Sequence, residues 1–239
     1  MPRFFIGPPS GDCAVIEGGD ARHITRVLRM QPGERITLCD GAGTDYVGVI
    51  ESVGDTVSVR VLESCRSEAE PTVSLHLYQA LPKGEKMELI IQKAVELGAS
   101  DITPVLTSRC VSRPDPQSME KKRARYQKIA FEAAKQCGRG VIPSVRPLLS
   151  FGQALAEAAN FDLSIFFYEC GGAFLQKIIS PEKKDIALFV GSEGGFSEEE
   201  AAQAVATGAV AATLGKRILR CETAPLAGIA IVMNLTGNM

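Results

Sequence analysis

The chain has 239 residues, of which 45% are apolar and 23% are charged, and its formal net charge is −2. This composition is typical of a globular protein with a sizeable core, so a disordered or fibrous chain is excluded. The longest apolar run, residues 224–233, is too short for a bilayer, and residues 1–6 lack the apolar stretch of a signal peptide, so neither a membrane span nor a signal is expected.

Residues 1–70 show the two-residue alternation of polarity that is typical of β-strands. The predicted strands are 35–39, 46–50 and 56–62, separated by the turn residues 40–43 and 54–55. Short strands at this spacing predict a small β-barrel. A helical segment is expected at 20–29, where it would bring His23, Arg26 and Arg29 close together.

After residue 70 the pattern changes to alternating strands and helices. We predict strands at 73–81, 102–106, 163–168, 186–190 and 210–214, and helices at 86–97, at 119–136, from 198 and from 224. The strands are apolar throughout, as expected when helices cover both faces of a parallel sheet. The sequence therefore predicts two domains, 1–70 and 71–239, the second of which is α/β.

A glycine-rich turn, G-S-E-G-G-F-S-E-E-E, follows the strand predicted at 186–190. Ser197 and Glu200 have the spacing of a capping box, which indicates a helix start. Glycines let backbone groups approach a ligand closely. Because four glutamates occupy the segment and a Walker lysine is missing, a neutral or cationic ligand is favoured over phosphate. A plain strand-to-helix turn is the alternative.

A second turn, L-G-K-R-I-L-R-C-E-T-A-P-L, begins at Leu214, after the strand predicted at 210–214. Thr223 is a candidate N-cap for the helix that follows. We expect the two turns to lie side by side at the carboxyl edge of the sheet, where α/β proteins bind ligands. Lys216, Arg217 and Arg220 would add positive charge, which suits an anionic substrate.

The segment 109–146 holds ten lysines and arginines and only three acidic residues. This segregation is typical of a phosphate-binding face, and a solvated helix surface is the equal alternative. The segment Gly41-Ala-Gly43 begins like a dinucleotide fingerprint, but it lacks the third glycine and no helix is predicted after it, so no cofactor is expected there.

The seven cysteines are scattered, and no C-x-x-C pair occurs. This pattern favours reduced thiols in a cytoplasmic protein over a disulfide framework or a zinc site. Only two histidines are present, so a histidine-based metal centre is not expected either.

The two turns together closely resemble the SPOUT-class RNA methyltransferases, and specifically the RsmE family of 16S rRNA uridine-N3 methyltransferases. That family carries a G-P-E-G-G-F-S-x-x-E loop and an L-G-x-R-I-L-R-x-E-T-A loop. Here Ser192 stands in place of the proline. The resemblance extends to segments 3–5, 23–29, 81–98 and 132–143, and thus to nearly the whole chain.

The resemblance implies a small N-terminal PUA-like β-barrel and a C-terminal SPOUT α/β domain with a trefoil knot. It also implies S-adenosylmethionine as the cofactor and a homodimer as the acting form. The implied substrate is a uridine in the decoding region of 16S rRNA, in the small ribosomal subunit, methylated on ring nitrogen 3.

The resemblance further implies three sets of site residues. The cofactor site is expected to include Glu169, Val190, Gly191, Gly194, Gly195, Leu214, Gly215, Ile218, Leu219 and Thr223. Arg220 is expected to stabilise negative charge on the uracil carbonyls, and Glu222 is a candidate proton acceptor. RNA contacts are expected from Arg3, His23, Arg26, Arg29, Lys83, Arg109 and Arg139. For His23, a structural histidine is the alternative.

Two other functions stay open at this point. One is a related knotted methyltransferase that acts on tRNA or on a ribose 2′-hydroxyl, which would need a different extension in place of the N-terminal barrel. The other is a non-catalytic RNA-binding protein, which would have no reason to keep both glycine-bearing turns.

Overall fold

The computed structural model describes all 239 residues, which divide into two compact units. The first unit comprises Met1–Glu70 and Ala134–Ile142, and the second comprises Pro71–Ala133 and Pro143–Met239. The sequence pattern had assigned 134–142 to the α/β part. Tertiary contacts place it in the first unit, because Glu70 pairs with the guanidinium of Arg139 and accepts hydrogen bonds from the next two backbone amides.

The first unit is built on one five-stranded sheet. Its strands are β1 (Arg3–Phe5), β2 (Cys13–Ile16), β3 (Arg35–Cys39), β4 (Thr44–Val53) and β5 (Val57–Arg66). They are ordered β1-β3-β4-β5-β2, so β1 and β2 are the edge strands. The hydrogen bonds between strands therefore form an open sheet and do not close it into the predicted barrel. The alternation that predicted the strands places Ile36, Leu38, Val57 and Val59 in one core.

The helical segment expected at 20–29 consists of two parts. Helix α1 (Gly18–Arg22) continues directly into a π-helix, His23–Leu28. The π-helix ends at Arg29, the one non-glycine residue with a positive φ, 53°. Side-chain spacing alone does not distinguish this wider turn from an α-helix, and π-turns often occur at functional sites.

The second unit follows the predicted strand and helix pattern. Its elements are β6 (Ser74–Ala80), α2 (Lys86–Glu96), β7 (Asp101–Leu106), α3 (Pro116–Cys137, whose last turn belongs to the first unit), β8 (Ser144–Val145), β9 (Leu149–Ser150), α4 (Phe151–Ala158), β10 (Leu163–Phe167), β11 (Ala173–Phe174), α5 (Leu175–Ile178), β12 (Asp185–Val190), α6 (Glu198–Ala206), β13 (Val210–Thr213) and α7 (Ala224–Leu235). The short elements β8, β9, β11, α4 and α5 were not predicted.

The strands of the second unit form one parallel sheet, as the sequence predicted. The order is β11-β13-β10-β12-β6-β7-β8, with β9 also paired to β7. Strand β12 is central, and five of its six residues are buried, because helices cover both faces. On one face the ring of Phe189 stacks on the ring of Tyr78, with the two ring centroids 4.6 Å apart. Phe151, Phe166 and Phe196 belong to the same core.

This strand order corrects one expectation about the two turns. Strand β10 lies between β12 and β13, so the turns that follow β12 and β13 are not side by side. The end of β10 lies between them instead, and it brings a third chain segment to the same edge. None of the helices combines the length and hydropathy needed to cross a bilayer.

Candidate active site

A cavity of about 330 Å³ opens at the carboxyl edge of β10, β12 and β13. Its walls come from the end of β10, from the glycine loop (residues 191–196) and from the arginine loop (residues 214–223). The lining residues are Phe167, Tyr168, Glu169, Val190, Gly191, Ser192, Glu193, Gly195, Phe196, Ala212, Thr213, Leu214, Gly215, Lys216, Arg217, Ile218, Leu219, Arg220, Cys221 and Ala224. A volume of this size is sufficient for a small-molecule site.

The glycine loop is a tight turn that leaves no room for a side chain at two positions. The amide of Gly195 donates to the carbonyl of Ser192 at 3.0 Å, and Gly195 has a φ of +64°. A Cβ on Gly195 would lie 2.7 Å from Oε2 of Glu169, and a Cβ on Gly191 would lie 2.9 Å from Cα of Gly195. Bare backbone therefore forms this wall of the cavity, beside the Glu169 carboxylate.

The start of α6 fixes the far end of the glycine loop. The Ser197 hydroxyl accepts from the Glu200 amide, and the Glu200 carboxylate accepts from the Ser197 amide, so the predicted capping box is confirmed. The other Glu200 oxygen accepts from the amide of Ser108 at 2.7 Å. The buried Glu200 carboxylate thus joins the segment after β7 to the start of α6.

Arg109, which was predicted to contact RNA, braces the glycine loop. Its guanidinium donates to the carbonyl of Gly194 at 2.9 Å and lies 3.7 Å from Oε1 of Glu169. The side chain is still 44% exposed, so it keeps surface for a second partner.

The arginine loop presents free backbone donors and free cations. The amides of Leu214, Ile218 and Leu219 make no hydrogen bond within the chain, although all three residues line the cavity. Lys216, Arg217 and Arg220 also line the cavity, and all three are exposed without an ion-pair partner in the chain. This part of the cavity is therefore suited to polar or anionic groups.

Thr223 lies at the predicted N-cap position of α7, but its side chain does not cap the helix. Thr223 directly precedes the helix, but its side chain makes no capping hydrogen bond, because its backbone is already helical at φ −91° and ψ −39°. The carbonyl of Arg220 instead accepts from the amides of Thr223 and Ala224, at 2.8 and 2.9 Å.

Lys86, which no prediction assigned to the site, links the two loops. Its ammonium lies 2.9 Å from Oε1 of Glu193 and 3.3 Å from Oε2 of Glu222. The hydrogen bond with Glu193 raises the pKa of Lys86 to about 12, so the side chain is charged. Burial, followed by the neighbouring Glu222 carboxylate, raises the pKa of Cys221 to about 12, so its thiol stays protonated.

These pairs change two interpretations of the acidic residues. The hydrogen bond from Cys221, together with that from Lys86, lowers the pKa of Glu222, and Glu222 does not line the cavity. An already paired carboxylate of lowered pKa is a poor proton acceptor, so we no longer assign that role to Glu222. Lys86 neutralises Glu193, and Glu200 serves as a helix cap. Of the four glutamates in the argument against phosphate, only the exposed Glu198 and Glu199 therefore remain without such a partner.

The structure brings most of the predicted cofactor residues together around the cavity. Those that line it are Glu169, Val190, Gly191, Gly195, Leu214, Gly215, Ile218 and Leu219, and the predicted catalytic Arg220 lines it as well. Gly194 and Thr223 do not. A Cβ on Gly194 would instead meet Arg109 at 3.0 Å.

The residues predicted to contact RNA separate into two groups. The exposed group consists of His23, Arg26, Arg29, Lys83 and Arg109. Arg3 is instead bonded to Asp45 and Ser67. Arg139 is only 4% exposed and its Nη2 lies 2.7 Å from Glu70. Breaking this buried ion pair would cost free energy. Arg139 therefore has a structural role in the first unit in place of the predicted contact with RNA.

No cluster of three or more histidine, cysteine, aspartate or glutamate side chains in the structure has the arrangement needed for a metal ion.

Comparison with known proteins matches both units of the chain. The model of an RNA methyltransferase domain family matches residues 68–233, and that of an RNA methyltransferase PUA domain matches residues 16–62. The ribosomal RNA small subunit methyltransferase E of Bacillus subtilis is 36% identical over 225 residues, which are 91% of this chain and 88% of that protein.

Solved structures give the same result over the whole chain. The ribosomal RNA small subunit methyltransferase E of Neisseria gonorrhoeae, bound to S-adenosylmethionine, superposes with a TM-score of 0.87 at 33% identity and covers 98% of both chains. A Legionella pneumophila protein solved with bound S-adenosylmethionine superposes with a TM-score of 0.83 at 32% identity, covering 97% of this chain and 96% of the other.

Proposed function

The chain belongs to the ribosomal RNA small subunit methyltransferase E family, the RsmE family, and on this basis we propose that it methylates ring nitrogen 3 of one uridine in the decoding region of 16S rRNA. It is an S-adenosylmethionine-dependent rRNA methyltransferase. The observation that carries the proposal is the cavity between the glycine loop and the arginine loop, where bare backbone and unpaired cations face the same space.

The residues of the cavity fit S-adenosylmethionine. A Cβ on Gly191 or Gly195 would fill the close approach at the glycine loop, and the unbonded amides of Leu214, Ile218 and Leu219 are donors that a nucleoside can satisfy. When bound, the cofactor supplies a methyl group on a sulfonium, whose transfer is an in-line displacement. The chain's contribution is then largely to position the reacting groups.

Arg220 is the residue we propose for charge stabilisation. When uridine loses its N3 proton, negative charge spreads to the two flanking carbonyls, and a nearby guanidinium lowers the energy of that state. Arg220 lines the cavity, and its side chain has no carboxylate partner that would compete for it.

RNA binding is proposed for the exposed basic residues. His23, Arg26 and Arg29 lie on or next to the π-helix of the first unit, and Lys83 and Arg109 lie on loops of the second unit. Such side chains mostly fix register on phosphates, while hydrogen bonds to the base edge select uridine. The target base must leave its stack to reach the methyl group, which an unpaired rRNA segment makes easier.

The quaternary structure, the knot and the location complete the proposal. Helix α7 is apolar almost all round, and Leu226, Ala227, Ala230 and Ile231 are only partly buried. This supports a homodimer in which a second copy covers α7. A SPOUT trefoil knot is proposed from the resemblance of the two loops, and a cytoplasmic location from the scattered cysteines.

The deciding experiment uses isotope-labelled S-adenosylmethionine with 30S subunits and, in parallel, naked 16S rRNA. The modified nucleoside is then mapped after digestion. We expect label in 3-methyluridine at a single position. Label in a ribose, or only in added tRNA, refutes the substrate. Calorimetry that detects no binding of S-adenosylmethionine, with or without RNA, refutes the enzyme itself.

A further inference from the structure

Lys86 occupies a position that helix electrostatics disfavour. It is the first residue of α2, where the positive end of the helix dipole repels a cation. Its ammonium is 2.9 Å from the Glu193 carboxylate and 3.3 Å from the Glu222 carboxylate. The two carboxylates therefore supply the compensation that the helix end does not.

The two carboxylates belong to the two different walls of the cavity. Glu193 is part of the glycine loop and Glu222 is part of the arginine loop, and the strands that carry these loops are separated by β10. Two further bonds strengthen the junction. The amide of Lys83 donates to Glu193 at 3.2 Å, and the thiol of Cys221 donates to Glu222 at 3.2 Å.

We propose that Lys86 is a positioning residue for the cofactor cavity, which holds the glycine loop and the arginine loop at a fixed separation before the ligand binds. Lys86 does not line the cavity, so it acts through Glu193 and Glu222. The identity of the ligand rests on the proposed function, whereas the link between the loops does not. Preorganisation of this kind improves affinity because less order has to be created on binding.

The test compares Lys86→Met with Lys93→Met. Both lysines are on α2, and Lys93 pairs only with Glu96 one turn away, at 2.8 Å. Two properties are measured: the Kd for S-adenosylmethionine by calorimetry, and, without cofactor, the rate at which iodoacetamide alkylates Cys221. Peptide mapping separates Cys221 from Cys110, which is buried elsewhere in the same unit and serves as the internal reference.

For Lys86→Met we expect the Kd to rise about tenfold, since two charge-assisted contacts at a partly exposed site are lost. Alkylation of Cys221 should accelerate by a similar factor relative to Cys110, because the loop that buries its thiol is released. Lys93→Met should leave the Kd and the alkylation rate within about twofold of those of the unaltered protein. Lys86→Arg should keep both close to their native values, since a guanidinium keeps the charge.

Native affinity together with native Cys221 reactivity in Lys86→Met overturns the proposal, and so do equal changes in Lys93→Met. If Lys86→Met does not fold, Glu222→Gln takes its place, because it keeps the side-chain shape and removes one charge. The Kd is the readout for that variant, since Glu222 touches the Cys221 thiol directly but does not line the cavity, and an unchanged Kd is again decisive against the link. Failure of the proposed function is distinguishable, since the unaltered protein would then bind no S-adenosylmethionine while the alkylation result still stands.

Discussion

Gly191→Ala tests whether the close approach within the glycine loop is needed for cofactor binding. The added Cβ would lie 2.9 Å from Cα and 3.1 Å from the carbonyl carbon of Gly195. Because carbon atoms pack at about 3.5–4.0 Å, one of the two backbone segments has to move by roughly 0.6 Å or more. Both neighbours are backbone, so no side chain can turn away to relieve the contact.

We expect two consequences of this shift. Overpacking of this kind costs about 1–3 kcal/mol, which lowers the Tm by about 2–4 °C per kcal/mol for a chain of this size. Since a displacement near 1 Å at a reacting site can cost about 100-fold in rate, kcat/KM should fall at least about tenfold. Steady-state kinetics with 30S subunits, and calorimetry with S-adenosylmethionine, measure the effect.

Gly152→Ala is the matched control for this prediction. Gly152 lies in α4, where alanine is the better helix former and the nearest heavy atom to the added Cβ is a side-chain nitrogen of Gln203 at 3.3 Å. The Gly152→Ala protein should have the same or a slightly higher free energy of unfolding and a native kcat/KM. A Gly191→Ala enzyme with native kcat/KM and native affinity would refute the steric reasoning.

Three further predictions follow from single contacts. Arg220→Ala should lower kcat about 100-fold with little change in Tm, because the side chain is exposed; kinetics and a thermal melt check this. Glu70→Ala should lower the free energy of unfolding by about 3–5 kcal/mol, because buried Arg139 loses its carboxylate; urea denaturation measures it. Burial opposes protonation of His76, but the hydrogen bond from its Nδ1 to Asp101, 2.6 Å long, outweighs it and raises the pKa above 6.5. The stability this pair contributes should be fully present below about pH 6.5 and lost as the pH rises through the folded-state pKa.

Each of these predictions has a result that contradicts it. An unchanged kcat in Arg220→Ala removes the proposed charge stabilisation. A loss of under about 1 kcal/mol in Glu70→Ala means that the pair is weakly coupled to folding. For the histidine, His76→Gln is the control, and it should flatten the pH dependence of urea unfolding above about pH 6.5; an equal slope in both proteins places the titration elsewhere.

The sequence predicted those parts of the site that depend on local chemistry. The spacing of Ser197 and Glu200 was sufficient for the capping box, since both hydrogen bonds close within one helical turn. The apolar run at 186–190 was sufficient for a buried central strand, because that pattern reflects helices on both faces.

Other parts depend on contacts between residues that are distant in the chain, which local patterns do not contain. The position of β10 between β12 and β13 is one of them, and it brings Glu169 beside Gly195. The pairing of Lys86 with Glu193 and Glu222 is another, because it joins residues more than 100 positions apart. A lysine at a predicted helix start, where the helix dipole disfavours a cation, is the one local signal from which this link could have been predicted.

The division of the first unit between Met1–Glu70 and Ala134–Ile142 also affects how the nascent chain folds. All five strands of its sheet leave the ribosome before the segment that pairs with Glu70 has been made. Until then the Glu70 carboxylate lacks the guanidinium of Arg139 and the amides of Gly140 and Val141, which are its partners in the finished protein. The first unit therefore reaches full stability only after Pro71–Ala133, which belongs to the second unit, has been synthesised. Folding of this chain does not proceed strictly from its first unit to its second.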